Sequence, residues 1–574
     1  MSFHPIISIY IFEQEDKFKE LIDGYIHDGI LEKVDMAEPR NCSYSNKTEW
    51  DKNQKKLVPK ETVILGEEVP RMKSYTPMPV ELRGITLRQL RAINVNIVAR
   101  CEKEGWVNYE GKPLTPETVT LYDVNKYIVL PFTKNSQASF VETLPSTAGT
   151  QPPRFFVSHW WGEPFVHTLA CLEQFVEDFS KNTNASHDAQ GGGMTEDTPI
   201  WICIFANNQW NLDEAISIDP KDSSFTLALT GTCENRVISI LDAGGNVFAR
   251  VWCDFELHLT FTAQMKRSNT NKGSAGLWAV YTAHKHKFQA RSGLDPVDRD
   301  AVGIISGGTP CDGGVARVTS LRESYFPTDL IRKSHTIKIE LAEASRDSDR
   351  KHILNSIVRN KNLEADPPTT HPNYDAVNDA VKGAFAASLP ILKAAAAAGG
   401  EEWTDTLDRL SKGIMTGTFE FYFNEFSPPL SLSQAREFVS HVPSTCNGLN
   451  IRHARGEAFE CAIEGMIDCI GNANTMKRII CFDCKVGHWL KGGKDAGCQL
   501  ATAIESSKHA TSIEELALYT DLIVSGNVSE WASTLKKMTA LKKLYLYDMD
   551  DYISDEEKSI LRNATHALDV HFDL

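Results

Sequence analysis

From Cys446 onward the chain keeps returning to one short frame, apolar–x–x–apolar–x–apolar. It occurs at CNGLNI (446–451), MKRIIC (476–481), IEELAL (513–518) and LKKLYL (541–546), and in weaker form at ALDVHF (567–572). The intervals are 30, 37, 28 and 26 residues, with helical stretches such as CQLATAIESSKHA and SEWASTLKKM between them. A unit of one strand and one helix cannot bury its apolar face alone, so successive units must stack. Residues 441–574 are therefore expected to form a short curved α/β solenoid.

These units resemble the leucine-rich repeat family of the longer, ribonuclease-inhibitor-like type. The resemblance spans a minor, C-terminal part of the chain and implies a surface that binds a protein partner. It also bears on CFDCKVGH, where Cys481, Cys484 and His488 stand at a spacing compatible with zinc. The frame puts Cys481 at an inward strand position and Cys484 at the position that such repeats fill with asparagine or cysteine. No second pair supplies a clear fourth ligand, although Cys498 follows nearby. Packing cysteines and no metal are the expectation.

Upstream, the pattern divides the chain further. Residues 1–80 are weakly patterned. Residues 81–153 form a small helical region and linker, with TLRQLRAINVNIVARCEKEGW giving a face of Leu87, Leu90, Ile93, Val95 and Ile97. A helical connector is expected over 361–440, where the alanines of ILKAAAAAGG favour helix. Between them, 154–360 alternates short apolar runs with helical stretches. RFFVSHW, IWICIFA, RVISILD, GLWAVYTA, AVGIISG and TIKIEL are the six strand candidates. PFVHTLACLEQFVEDFS, SFTLALTG and VFARVWCDFELHLTF read as helices. Wholly apolar strands separated by helices predict a parallel sheet covered on both faces. ASHDAQGGGMTED is expected to be an insertion loop. GIISGGTPCDGG (303–314) lacks dinucleotide or P-loop glycine spacing and also reads as a loop.

In such a sheet, ligands sit beyond the carboxyl ends of the strands. The residues there are Ser158, His159, Trp160 and Trp161 after the first strand, Asn207, Asn208, Gln209 and Trp210 after the second, and Asp242 after the third. Tryptophans stack on planar rings, and amides hydrogen-bond ribose or carboxamide groups. The plainer alternative has Trp161 and Trp210 covering the sheet edge, Asn207–Asn208 forming a tight turn, and His159 capping the strand.

The order of these elements, with WCDFEL following the third strand, resembles the Toll/interleukin-1 receptor-like (TIR) superfamily. Trp252, Cys253, Glu256 and Leu257 match its WC-x-x-E-L helix, and FVSHWWGE resembles a divergent variant in unicellular algae and other protists. The resemblance implies a flavodoxin-like fold and one of two functions. TIR domains are either adaptors that self-associate or enzymes that hydrolyse NAD, and in the enzymes the glutamate corresponding to Glu256 is the catalytic carboxylate. NAD would then be a substrate, with no bound cofactor. From placement alone, Trp160 would stack on nicotinamide, and Ser158 or Asn207 would bind ribose. Against this, Glu256 on a solvated helix face and Trp252 in the core would be ordinary helix packing. The chain departs from the family pattern in the loop NNQWNLDEAISIDP, in the insertion after the first helix and in the number of strands. The leading expectation is a sensor or signalling protein whose TIR-like domain forms homo-oligomers and whose repeats bind a protein. The alternative is an NAD glycohydrolase.

Composition limits the partners. The 574 residues carry a formal charge of −16, which argues against a nucleic-acid footprint. Thirteen cysteines without a dense framework suit free thiols in a reducing compartment. No long apolar run spans a membrane, and the N-terminus lacks the pattern of a signal peptide. A cytoplasmic protein is expected.

Overall fold

The computed structural model describes the short strands 48–51 and 56–59, which pair as a hairpin, and residues 78–572 apart from 145–149, 181–192, 213–216, 271–276, 289–296, 306–322, 324, 415–417, 485–491, 520–521, 548–552, 566 and 568. Most of ASHDAQGGGMTED, most of GIISGGTPCDGG, and His488 therefore lie outside the described residues. The protein is mixed α/β, and its two large sheets are mainly parallel.

The first sheet follows α1 (Leu87–Arg100). Its elements are β1 (Phe155–His159), α2 (Phe165–Ser180), β2 (Ile200–Trp201), α3 (Ser224–Thr230), β3 (Arg236–Ile240), α4 (Val251–Thr270), β4 (Leu277–Phe288) and β5 (Val297–Ile305). Across the sheet the strand order is β2-β1-β3-β4-β5, so the order reverses between β1 and β3. The first four strands are parallel.

All five residues of β1 are buried, and so are all five of β3. The pleat sends alternate side chains to opposite faces. Phe155, Val157, Ile238 and Ile240 join the core beneath α1 and α2. Phe156, Val237 and Trp278 join the core beneath α4, together with α5 (Asp347–Ile357) and α6 (Pro372–Ala386). A sheet covered on both faces is what the continuous apolar runs require. The helix α6, inside the span expected to be a connector, is thus part of the central core, with Tyr374, Val381 and Phe385 fully buried.

Three elements differ from expectation. IWICIFA is strand only at Ile200–Trp201 and then winds into a helical turn, Cys203–Ala206. The outer edge of Ile200 is taken by Ile85 through paired backbone hydrogen bonds, so no further strand is needed there. The described part of AVGIISG, 301–305, lies in β5, which runs antiparallel to β4. Only residues 289–296 separate the two, too few for a parallel crossover. TIKIEL forms no strand: Ile339–Leu341 is a 3-10 turn, and the Ile339 N–H donates to Asn378 Oδ1 instead of to a ladder. The sheet thus has five strands, not six.

The second sheet has six parallel strands in sequential order: β6 (Thr418–Tyr422), β7 (Gly448–Arg452), β8 (Arg478–Phe482), β9 (Glu515–Tyr519), β10 (Lys543–Tyr547) and β11 (Asp569–Phe572). The helices α7 (Leu432–Ser440), α8 (Glu457–Asn472), α9 (Gly492–Ser506), α10 (Val528–Lys537) and α11 (Asp555–Ala564) alternate with them, each packed on the next. Strands lie at all five framed segments, with Leu449, Ile451, Leu516, Leu518, Leu544 and Leu546 fully buried beneath the helices. The first strand, β6, begins before the boundary drawn at 441. Its TFEFY alternation carries no leucine frame, although Phe419 and Phe421 fill the same inward positions. Cys481 and Cys484 are buried, and the Cys484 thiol donates to the Ile451 and Phe482 carbonyls at 3.4 Å. Among the described residues, no single helix is long and apolar enough to cross a membrane.

Trp201 locks β2 to its neighbours. Its ring stacks on Phe156 at 4.8 Å, meets Phe225 of α3 edge-on at 5.6 Å, and its Nε1 donates to the Val80 carbonyl. Trp201→Ala is expected to destabilise this unit by about 3–5 kcal/mol. Urea unfolding measures it, and a midpoint equal to the parent's would contradict this packing.

Candidate functional site

The turn before α4 sets the site. Asn246–Ala249 is a short 3-10 turn, and Arg250 then enters α4. The helix lies against β1 and β3 and carries Cys253 and Glu256 inward, so Glu256 does not lie on a solvated face. It is only 4% exposed, and its Oε2 has no hydrogen-bond partner among the described residues.

Burial pushes the Glu256 carboxyl up to about 8, against the opposing pull of Ser158 and the Arg250 charge. Ser158 Oγ, from β1, is close enough to oppose that rise but makes no hydrogen bond of acceptable geometry. Two thiols complete the surround. Cys203, just past β2, is pushed up to about 12 by burial and accepts a hydrogen bond from Trp161 Nε1 at 3.1 Å. Cys253 lies within 3.9 Å of the His159 carbonyl oxygen. Both thiols feel the fields of Glu256 and Arg250.

The pleat puts His159 on the face opposite Ser158. Its Nδ1 lies 3.3 Å from the Val157 carbonyl oxygen, which makes that nitrogen the protonated one and Nε2 a lone-pair acceptor. Nε2 is buried without a partner among the described residues. Burial lowers this imidazole to about 4, and Arg250 adds to the effect. Burial thus favours the protonated form of the Glu256 carboxyl and the neutral form of the His159 imidazole.

The other expected residues are distributed less tightly. Asn207 is buried with Oδ1 unpartnered, one helical turn past β2. Asn208 accepts from the Trp210 N–H and donates to the Gln137 carbonyl, which is the tight-turn role. Asp242 closes its own turn, accepting from the N–H groups of Gly244 and Asn246 and from Asn246 Nδ2 at 2.7–2.8 Å. Trp160 lies across Gly162, where an added Cβ would come within 2.3 Å of the ring. Trp161 packs edge-on to Tyr122. Trp252 packs against the central core and stacks on Phe225 at 5.0 Å.

Three acidic or basic residues were missed. Arg250 is the first residue of RVWCDFEL and touches the site electrostatically from its rim. Glu163, from WWGE, is 1% exposed, with His167 Nδ1 no closer than 3.7 Å and Asp242 near enough to raise its proton affinity further. Asp254 is fully buried, and burial holds its carboxyl well above the usual range. Charge within an apolar helix was the available signal for Asp254, whereas Glu163 sits in a loop where sequence does not reveal burial. Orphaned polar atoms in a folded core call for an explanation, and a ligand site is one of the standard ones.

No family model, curated protein or solved structure matches the chain.

A raised carboxyl makes the native state bind more protons than the unfolded chain between its ordinary value of 4.5 and about 8. Its contribution to stability is therefore greatest below 4.5, and falls as the pH rises through that window. Glu256→Gln keeps the shape and cannot ionise. The melting temperature of the variant relative to the parent is expected to climb between pH 5 and pH 8.5, by several degrees. The lowered imidazole of His159 acts below 6.5 in both proteins and cancels in the comparison. A difference independent of pH would show that Glu256 is ionised in the native state.

Proposed function

We propose that the first sheet and its helices are a flavodoxin-like, TIR-like domain that cleaves the nicotinamide–ribose bond of NAD, with Glu256 as its carboxylate. The observation that carries this reading is Glu256 itself, buried beside Ser158 near the reversal in strand order, with an oxygen left unpaired. Cleavage of that bond breaks C1′–N and leaves an oxocarbenium-like sugar, which water then captures to yield nicotinamide and ADP-ribose. A carboxylate in a dry site stabilises the sugar cation strongly. The positive pyridinium ring of the bound substrate favours the ionised carboxylate that the empty site resists.

The second sheet is read as a leucine-rich repeat solenoid that binds a protein partner and couples it to this chemistry. What supports that reading is its open face, where the Arg452 guanidinium lies 5.6 Å from the Tyr422 ring and 5.0 Å from the Phe482 ring. Arginine between aromatic rings is the composition of binding hot spots. Homo-oligomerisation of the TIR-like domain belongs to the same sensor reading, and light scattering across a concentration series tests it. A monomer mass throughout would remove self-association.

The enzymatic reading is tested by incubating the full-length protein with NAD and following nicotinamide release. Glu256→Ala is expected to lower turnover by at least ~100-fold. In the parent, kcat/KM is expected to rise with pH toward an apparent value near 8, where the free carboxyl ionises. Equal turnover by the two proteins, or none by the parent, would overturn the assignment.

A further inference from the structure

Arg250 is held by its backbone and left unengaged at its head. The Glu343 N–H donates to the Ala249 carbonyl at 2.8 Å, and the Val251 N–H donates to the Glu343 carbonyl at 3.0 Å, so Arg250 is clamped between them. Its side chain is half-buried and makes no ion pair or hydrogen bond among the described residues. Most other arginines of the central region do. Arg83 bridges Glu142, Arg88 pairs with Asp197, Arg91 with Glu173 and Glu196, and Arg350 caps the Glu340 and Ala342 carbonyls.

The acid beside Arg250 does not cancel its charge. Glu256 of α4 is pushed toward its protonated form by burial. His159 of β1 is pushed toward its neutral form. Glu343 is exposed and is tied to Arg250 only through backbone. An unengaged guanidinium on a fixed backbone, near a buried unpaired carboxyl, is a natural partner for an anionic group on the same ligand. Guanidinium and phosphate match through paired N–H···O bonds.

We propose that Arg250 binds the phosphate of the ligand, so that the site accepts nicotinamide nucleotides and rejects the bare nucleoside; this rests on the NAD-hydrolysing reading above. Arg250 then fixes the 5′ side of the ribose while Glu256 faces its C1′ side. Burial of the ring alone would not distinguish the two ligands, whereas the guanidinium does.

The test is calorimetric titration of the full-length protein with nicotinamide mononucleotide and, separately, nicotinamide riboside. The mononucleotide is expected to bind at least ~10-fold more tightly. Arg250→Gln is expected to remove that advantage by weakening the mononucleotide more than the riboside, while Arg250→Lys restores part of it. Added salt should weaken the mononucleotide alone. Equal affinity of the parent for both ligands, equal loss of both in Arg250→Gln, or binding of neither overturns the proposal. Melting curves of both variants identify any loss that comes from unfolding, and in that case Arg250→Lys decides. Binding and nicotinamide release are separate readouts, so Arg250-dependent mononucleotide binding in a protein that never releases nicotinamide would sink the hydrolase reading and leave this one standing.

Discussion

The constraint on which the rest depends is that β1 is buried on both faces and paired along both edges. Phe155 and Val157 face one core while Phe156 and Ser158 face the other. Both β2 and β3 hydrogen-bond to it. A polar side chain on such a strand has nowhere to go but the strand's end. Ser158 and His159 occupy that end, and the orphaned atoms at the site begin there. Because α4 must cover the same face of the sheet, whatever stands at Glu256 is carried into contact with Ser158.

Desolvation then does the electrostatic work. A carboxyl and an imidazole removed from water both shift toward their neutral forms, in opposite directions on the pH scale. The positive charge of Arg250 sits at the rim, where the helix begins.

Much of the architecture was legible. Apolar runs without alternation told of a sheet covered on both faces, and the repeat frame located five strands of the second sheet before any geometry was known. β6 escaped because Phe419 and Phe421 serve where leucines stand in the later units. The hairpin of β4 and β5 escaped because an apolar run has no direction. Strand polarity is decided by the length of the connection, and residues 289–296 are too few to cross over. TIKIEL has strand composition, but a side-chain acceptor from α6, Asn378, takes the hydrogen bond that a ladder would have used.

At the site the same division holds. Sequence alone determined which residues stand at strand ends and that Glu256 lies one turn beyond Trp252 on a helix. It offered a tight turn at Asn207–Asn208 as the alternative to a ligand contact. Only the tertiary structure decided which of them meet. It stacked Trp252 on Phe225, closed Asp242 on its own turn, and brought Glu256 to Ser158 and Arg250. The physical reason is that a helix's inward face is set by what it packs against, and burial, which fixes protonation, is a property of that packing and not of the residue.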